Sequence, residues 1–158
     1  DSRLRWSAIA QRNPSDVRIW HIESASLHKT IPWDSAQARC DLHASTHTLA
    51  CVDVSSLMVF DIREDGVALK VRHGFARVGG VHLGPLGRQV VVWGRRPGRR
   101  ASRLEVRILN LDKPEAPPRM LRDVTLPIST VELLPTGQLI TGHIDGTIYV
   151  WDAASFGR

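Results

Sequence analysis

The chain is poor in cysteine, lysine and tyrosine, and it lacks any long apolar run. Its two cysteines, Cys40 and Cys51, among 158 residues make neither a disulfide framework nor a cysteine-based zinc site. They are expected to sit as two buried thiols in a reducing compartment, although a hairpin would let them face each other. No apolar stretch approaches the roughly 20 residues a helix needs to cross a bilayer, which argues against membrane insertion by a helix. The N-terminus does not read as a secretory signal. These absences together lead to an expected intracellular location, cytoplasmic or nuclear. The chain begins with Asp, and a start such as "DSRLRW" points to a piece of something longer.

Lysine is scarce: Lys29, Lys70 and Lys113 are the lysines in a set of 21 basic residues, and arginine carries the rest of a net charge of +5. Excess positive charge favours acidic partners, whether nucleic acid, acidic protein or anionic lipid. What remains is an ordinary folding composition. Hydrophobic residues make up 42% and charged residues 23%, enough at this length for one domain with a real core.

The strongest local signal is "GHIDGTIYVWD", residues 142–152. Asp145-Gly146 favours a two-residue hairpin turn with positive φ, and Ile148 to Trp151 then alternate between two strand faces. "GQLITG" before the turn supplies the partner strand. The ending recurs: "VRIWHI" carries Trp20-His21, "LMVFDI" carries Phe60-Asp61, and "VRILNL" carries Leu109-Asn110. With Trp151-Asp152 the anchors stand at 20, 60, 109 and 151, spaced by 40, 49 and 42 residues. The longest interval contains "GRRPGRRAS". A second landmark lies upstream of the anchors: "VGGVHLGPLGRQVVV" and "ISTVELLPTGQLITG" share two apolar strands around a Pro-Gly turn, and "QARCDLHASTHTLACV" is a weaker copy. A period near 40–45 residues with four strands per unit marks radial β-repeats.

On these landmarks the chain resembles a WD-repeat β-propeller, most closely over "LLPTGQLITGHIDGTIYVWD". The family's Gly-His pair before the innermost strand is poorly kept, since the third repeat has His73-Gly74 and the fourth has Asp123-Val124. The resemblance implies an all-β fold built from four-stranded antiparallel blades. It divides residues 1–158 into blades at about 1–35 (lacking its first strand), 36–73, 74–124 and 125–158 (lacking its last strand). Fourteen strands in sheets of three, four, four and three are expected, in one partial propeller cut from a longer chain. By resemblance the anchors Trp20, Phe60, Asp61, Leu109, Asp145, Trp151 and Asp152 are structural, the large ones packing between blades.

No catalytic residue, cofactor site or metal site is expected. There is no G-x-S-x-G elbow, and "GGVHLGPLG" has neither phosphate-loop nor dinucleotide spacing. His43 and His47 flank a hairpin without a nearby Cys or carboxylate pair to complete a metal shell. Asp16, Asp53 and Asp145 read as turn residues. The segment "DKPEAPPRM", residues 112–120, reads as an extended surface excursion.

The chemistry-bearing stretch is "WGRRPGRRAS". Arg95, Arg96, Arg99 and Arg100 are expected to project into solvent around a Pro97-Gly98 turn. Guanidinium forks suit carboxylate or phosphate oxygens. Arg99-Arg100-Ala101-Ser102 has the form of a basophilic kinase site, making Ser102 a candidate phosphosite whose added charge would quench the arginines. The functional expectation is a non-catalytic scaffold for protein complexes, with this rim loop on an acidic partner. The alternative is a nucleic-acid-associated subunit of an RNA-processing or chromatin assembly using the same arginines on phosphates. Only Trp93 stands beside them for base stacking. A regulatory domain attached to an enzyme elsewhere in a parent chain is a third reading.

Overall fold

The alternating segments form fourteen strands in a computed structural model that describes residues 6–12, 15–33, 38–97, 104–152 and 156. The first sheet holds β1 (Trp6–Arg12), β2 (Ser15–His21) and β3 (Ser26–Pro32). The second holds β4 (Arg39–His43), β5 (Thr48–Val52), β6 (Ser56–Asp61) and β7 (Leu69–Arg72). The third holds β8 (Arg77–Leu83), β9 (Gln89–Arg95), β10 (Leu104–Asn110) and β11 (Arg119–Val124). The fourth holds β12 (Ile128–Leu133), β13 (Leu139–His143) and β14 (Ile148–Trp151). Every pairing is antiparallel between strands consecutive in sequence. The class is all-β, as expected, with a 3-10 turn at Pro85–Gly87 and no α-helix among the described residues. Among those residues, no helix is long and apolar enough to cross a membrane.

Period-two alternation explains how the sheets stack. On β5, Leu49 and Cys51 face Val17, Ile19 and Ile31 of the first sheet, while Ala50 and Val52 face Val81 and Leu83 of the third. On β9, Val90 and Val92 join that second core, while Val91 and Trp93 face Val131, Leu133 and Leu139 of the fourth sheet. The result is three apolar cores, one between each pair of successive sheets. Each fully buried Leu or Val there contributes about 1.5–3 kcal/mol of transfer free energy. Among the described residues, the last sheet is covered on one face. Ile148 and Val150 of β14 are 70% and 59% exposed.

The periodic anchors divide between two jobs. Phe60 is buried between the first two sheets, and Leu109 and Trp151 pack against the other two cores. Trp20 belongs to none of the cores and is only partly buried. The polar residue after the anchor makes a local turn. Asp61 Oδ1 accepts the Arg63 amide at 2.9 Å, and Asn110 Oδ1 accepts the Asp112 amide at 2.9 Å. Hydrogen bonding to Arg63 holds the Asp61 carboxyl down to about 2. Asp152 instead accepts the Gln138 side chain at 2.9 Å. The segment 112–120 is shorter as a loop than expected, because Arg119 and Met120 already pair with Ile108 and Arg107 in the β10–β11 ladder.

Two local expectations are corrected. The Asp145-Gly146 pair does not form a two-residue turn with positive φ throughout. Only Gly146 has positive φ, at 88°, and the turn closes from the His143 carbonyl to the Gly146 amide at 3.1 Å. Asp145 is held by the Thr147 amide at 3.0 Å and the Thr147 hydroxyl at 2.7 Å. Those bonds use the carboxylate as a local acceptor, leaving glycine to take the left-handed conformation it adopts without strain.

The second correction concerns the cysteines, which are bonded to each other. Cys40 and Cys51 stand directly opposite on β4 and β5 with Cα atoms 4.1 Å apart, and they form a disulfide. The hairpin register brings the two sulfurs together, so the thiol argument for a reducing compartment falls away. The bridge closes a loop with a sequence separation of 11. Replacing both cysteines by serine is expected to lower unfolding stability by about 2–3 kcal/mol through loop-closure entropy. Urea unfolding under oxidising and reducing conditions checks this, with the double variant insensitive to reductant.

Candidate functional site

The arginine stretch begins at the end of β9. Arg95 is the last strand residue and is partly buried, while Arg96 and Pro97 are exposed. Arg99, Arg100 and Ser102 lie outside the described residues. Arg96 does not simply project into solvent: its Nη1 stands 3.5 Å from Glu105 Oε2, with half of the Arg96 side chain still exposed. Glu105, on the neighbouring strand β10, is 1% exposed. Its other oxygen accepts Arg107 Nε at 2.5 Å.

This buried carboxylate is the root of a longer chain of contacts. Arg107 Nη1 donates to the His73 carbonyl, and its guanidinium lies 4.6 Å over the Phe75 ring. Phe75 stacks on His73 at 5.4 Å. The Phe75 amide donates to His73 Nδ1 at 3.0 Å, so Nε2 carries the proton it gives to the Asp53 carbonyl at 2.9 Å. Burial favours the neutral ring, and nearby Arg107 acts the same way, so the His73 pKa is lowered. The linker between the second and third sheets is thereby fastened to β10 by the residue pair that also holds Arg96.

Trp93 lies beside the arginines in sequence but is 7% exposed and belongs to the core between the third and fourth sheets. Its ring covers Gly79 and Gly80. A Cβ on Gly79 would come 2.5 Å from Trp93 Cδ1, and one on Gly80 would be closer still. The two glycines are therefore required for this approach, and the indole is unavailable for stacking on a base.

A second polar cluster joins three strands that each begin a sheet. Asp41 on β4, His82 on β8 and Glu132 on β12 occupy the middle place of Cys40-Asp41-Leu42, Val81-His82-Leu83 and Val131-Glu132-Leu133. His82 Nδ1 is 3.1 Å from Asp41 Oδ2, and His82 Nε2 is 3.5 Å from Glu132 Oε2. Asp41 Oδ2 also accepts the Leu83 amide at 2.7 Å, and Asp41 Oδ1 accepts the Leu42 amide at 2.9 Å. Burial works against the Asp41 carboxylate, but His82 and the two amides outweigh it and lower its pKa. Burial likewise works against a charged His82, but Asp41 and then Glu132 outweigh it and raise its pKa. Sequence reasoning passed over this trio because each residue sits alone in an apolar strand. The signal was the shared position across repeats, with acid, His and acid in register.

In the fourth sheet a relay of hydrogen bonds ties strands together. Trp151 Nε1 donates to Thr141 Oγ1 at 2.9 Å, Thr141 donates to His143 Nε2 at 2.9 Å, and His143 Nδ1 donates to the Leu126 carbonyl at 3.1 Å. The ends fix the direction, since an indole N–H only donates and a carbonyl only accepts. His143 lies inside β13. His43 Nδ1 meets the Thr46 hydroxyl at 2.9 Å, and no group of three or more His, Cys, Asp or Glu among the described residues is arranged to hold a metal ion.

Neither a protein-family model nor a curated protein matches the chain.

Proposed function

We propose that the chain is a non-catalytic protein-interaction platform of WD-repeat type, meeting an acidic segment of a partner protein through Arg95, Arg96, Arg99 and Arg100. The observation that carries the reading is the anchoring of Arg96 on buried Glu105, which leaves half of that side chain exposed. An arginine held in place loses less side-chain freedom on docking than a free one. The stack of sheets with a core between each successive pair supplies a rigid support of the kind such platforms use. Two features support the WD-repeat type: the anchors near 40-residue spacing and the sheets of three, four, four and three strands. Burial of Trp93 weighs against the nucleic-acid alternative, because it removes the aromatic nearest the arginines.

The test is a chain carrying Arg95→Glu, Arg96→Gln, Arg99→Glu and Arg100→Glu. Gln is chosen at 96 because a carboxylate there would face Glu105. The expected result is a chain that still unfolds in one cooperative thermal transition but loses partner capture from native lysate, whether or not the lysate is treated with nuclease. Unchanged capture by the variant removes the arginine assignment. Capture that vanishes on nuclease treatment, with a log–log salt slope near −0.7 to −0.9 per phosphate contact, replaces the protein partner with nucleic acid.

A further inference from the structure

We infer that His82 is a proton-operated clasp that holds the second, third and fourth sheets together along their first strands. The geometry is carried by the two ring nitrogens. Nδ1 faces Asp41 on β4 at 3.1 Å, and Nε2 faces Glu132 on β12 at 3.5 Å. Carboxylates offer only acceptors, and a neutral imidazole has one N–H and one lone pair. A neutral ring that donates to Asp41 therefore turns its Nε2 lone pair toward a second acceptor. Only the imidazolium satisfies both sides.

Two further observations place the moving part. Nε2 is buried and makes no hydrogen bond, with Glu132 Oε2 3.5 Å away. Asp41 is fixed, taking the Leu83 and Leu42 amides as well as the ring, whereas the Glu132 side chain is 59% exposed and meets His82 alone among these groups. Protonation closes the Glu132 side by a few tenths of an ångström, and proton loss releases it. Among the described residues, Asp41 from β4 and Glu132 from β12 are the charged groups acting on the ring, and no charged residue of β9 bears on it. The Leu83 amide already bonds β8 to Asp41, so the contact that comes and goes is the one to the fourth sheet.

The pH window follows from the directions. The folded state raises the affinity of His82 for its proton, so the clasp is complete below the ordinary histidine value of 6.5 and is lost as pH rises through the ring's own higher pKa. Asp41 has the opposite sense: its contribution is present above the ordinary 3.8 and is lost as pH falls through its lowered pKa. The clasp thus holds from mildly acid conditions up to the His82 titration and opens above it. His73 cannot mimic this, because its lowered pKa makes acid, not base, unfavourable to the fold.

The experiment follows the His82 ring by NMR through a pH titration of the full chain, together with urea unfolding across the same range. The expected ring midpoint lies above 6.5, and Glu132→Gln, a change at an exposed position, shifts it downward. The wild-type urea midpoint falls as pH rises through that titration, and His82→Gln loses this fall. Protection of the β12 amides from exchange, corrected for the intrinsic effect of pH, drops over the same interval in the wild type only. A ring midpoint at or below 6.5 overturns the clasp. So does a His82→Gln chain that keeps the wild-type pH dependence, or a Glu132→Gln chain whose ring midpoint does not move.

Discussion

Replacing Arg107 by methionine is expected to lower the unfolding free energy by about 3–5 kcal/mol, the range for removing one partner from a buried ion pair. Glu105 is 1% exposed, and Arg107 is its hydrogen-bonded partner at 2.5 Å. Without it, the carboxylate keeps, among the described residues, the Arg96 guanidinium at 3.5 Å. The same change removes the bond to the His73 carbonyl and the guanidinium over Phe75, so the linker after β7 loses its tie to β10 and keeps the Ala76 amide on the Arg95 carbonyl at 2.7 Å and the packing of Phe75. Methionine retains much of the apolar stem, which separates the loss of charge from a loss of packing. Pairing Arg107→Met with Glu105→Leu should recover most of the stability, because no buried charge is then left alone. Urea unfolding of the two single variants and the double decides the matter. A cost below about 1 kcal/mol for Arg107→Met, the range of exposed pairs, would mean that water reaches Glu105.

Leu139→Ala is expected to cost about 2–5 kcal/mol, from lost transfer free energy and the cavity left behind. Leu139 is fully buried, in the core between the third and fourth sheets. The control lies on the same sheet: Ile148 is 70% exposed on the uncovered face, and Ile148→Ala should stay within about 0.5 kcal/mol. Both are read from denaturant midpoints of the full chain at equal concentration. Equal costs at the two positions would contradict the one-sided burial of the last sheet.

The strands were legible because their information is local. Alternation in "VRIWHI", "LMVFDI" and "TIYVWD" sets side chains on two faces, and the pairing of consecutive segments follows from short turns. The Asp145-Gly146 turn shows the limit of such reading. The dipeptide signal was sound for a hairpin, but the turn closes from the His143 carbonyl to the Gly146 amide, with the Asp145 carboxylate bonded to Thr147 outside the dipeptide. Cys40 and Cys51 show it again: composition argued for thiols, and the exact register of β4 against β5 decided for a bond.

The arginine stretch was legible as chemistry but not as geometry. Four arginines near a Pro-Gly pair announce an anion-seeking surface, yet nothing in "GRRPGRRAS" says that Arg96 leans on Glu105 two strand positions into the next segment. The sequence by itself determined the all-β class, the repeat and the four-sheet tally, because these rest on alternation and turn chemistry between neighbours in the chain. Only the tertiary structure decided which distant groups meet. Asp41, His82 and Glu132 lie some 40–50 residues apart and come within hydrogen-bonding or ion-pairing distance because successive sheets stack with their first strands side by side. Face-to-face packing of sheets is set by complementary apolar surfaces summed over many residues, and no single segment carries that sum.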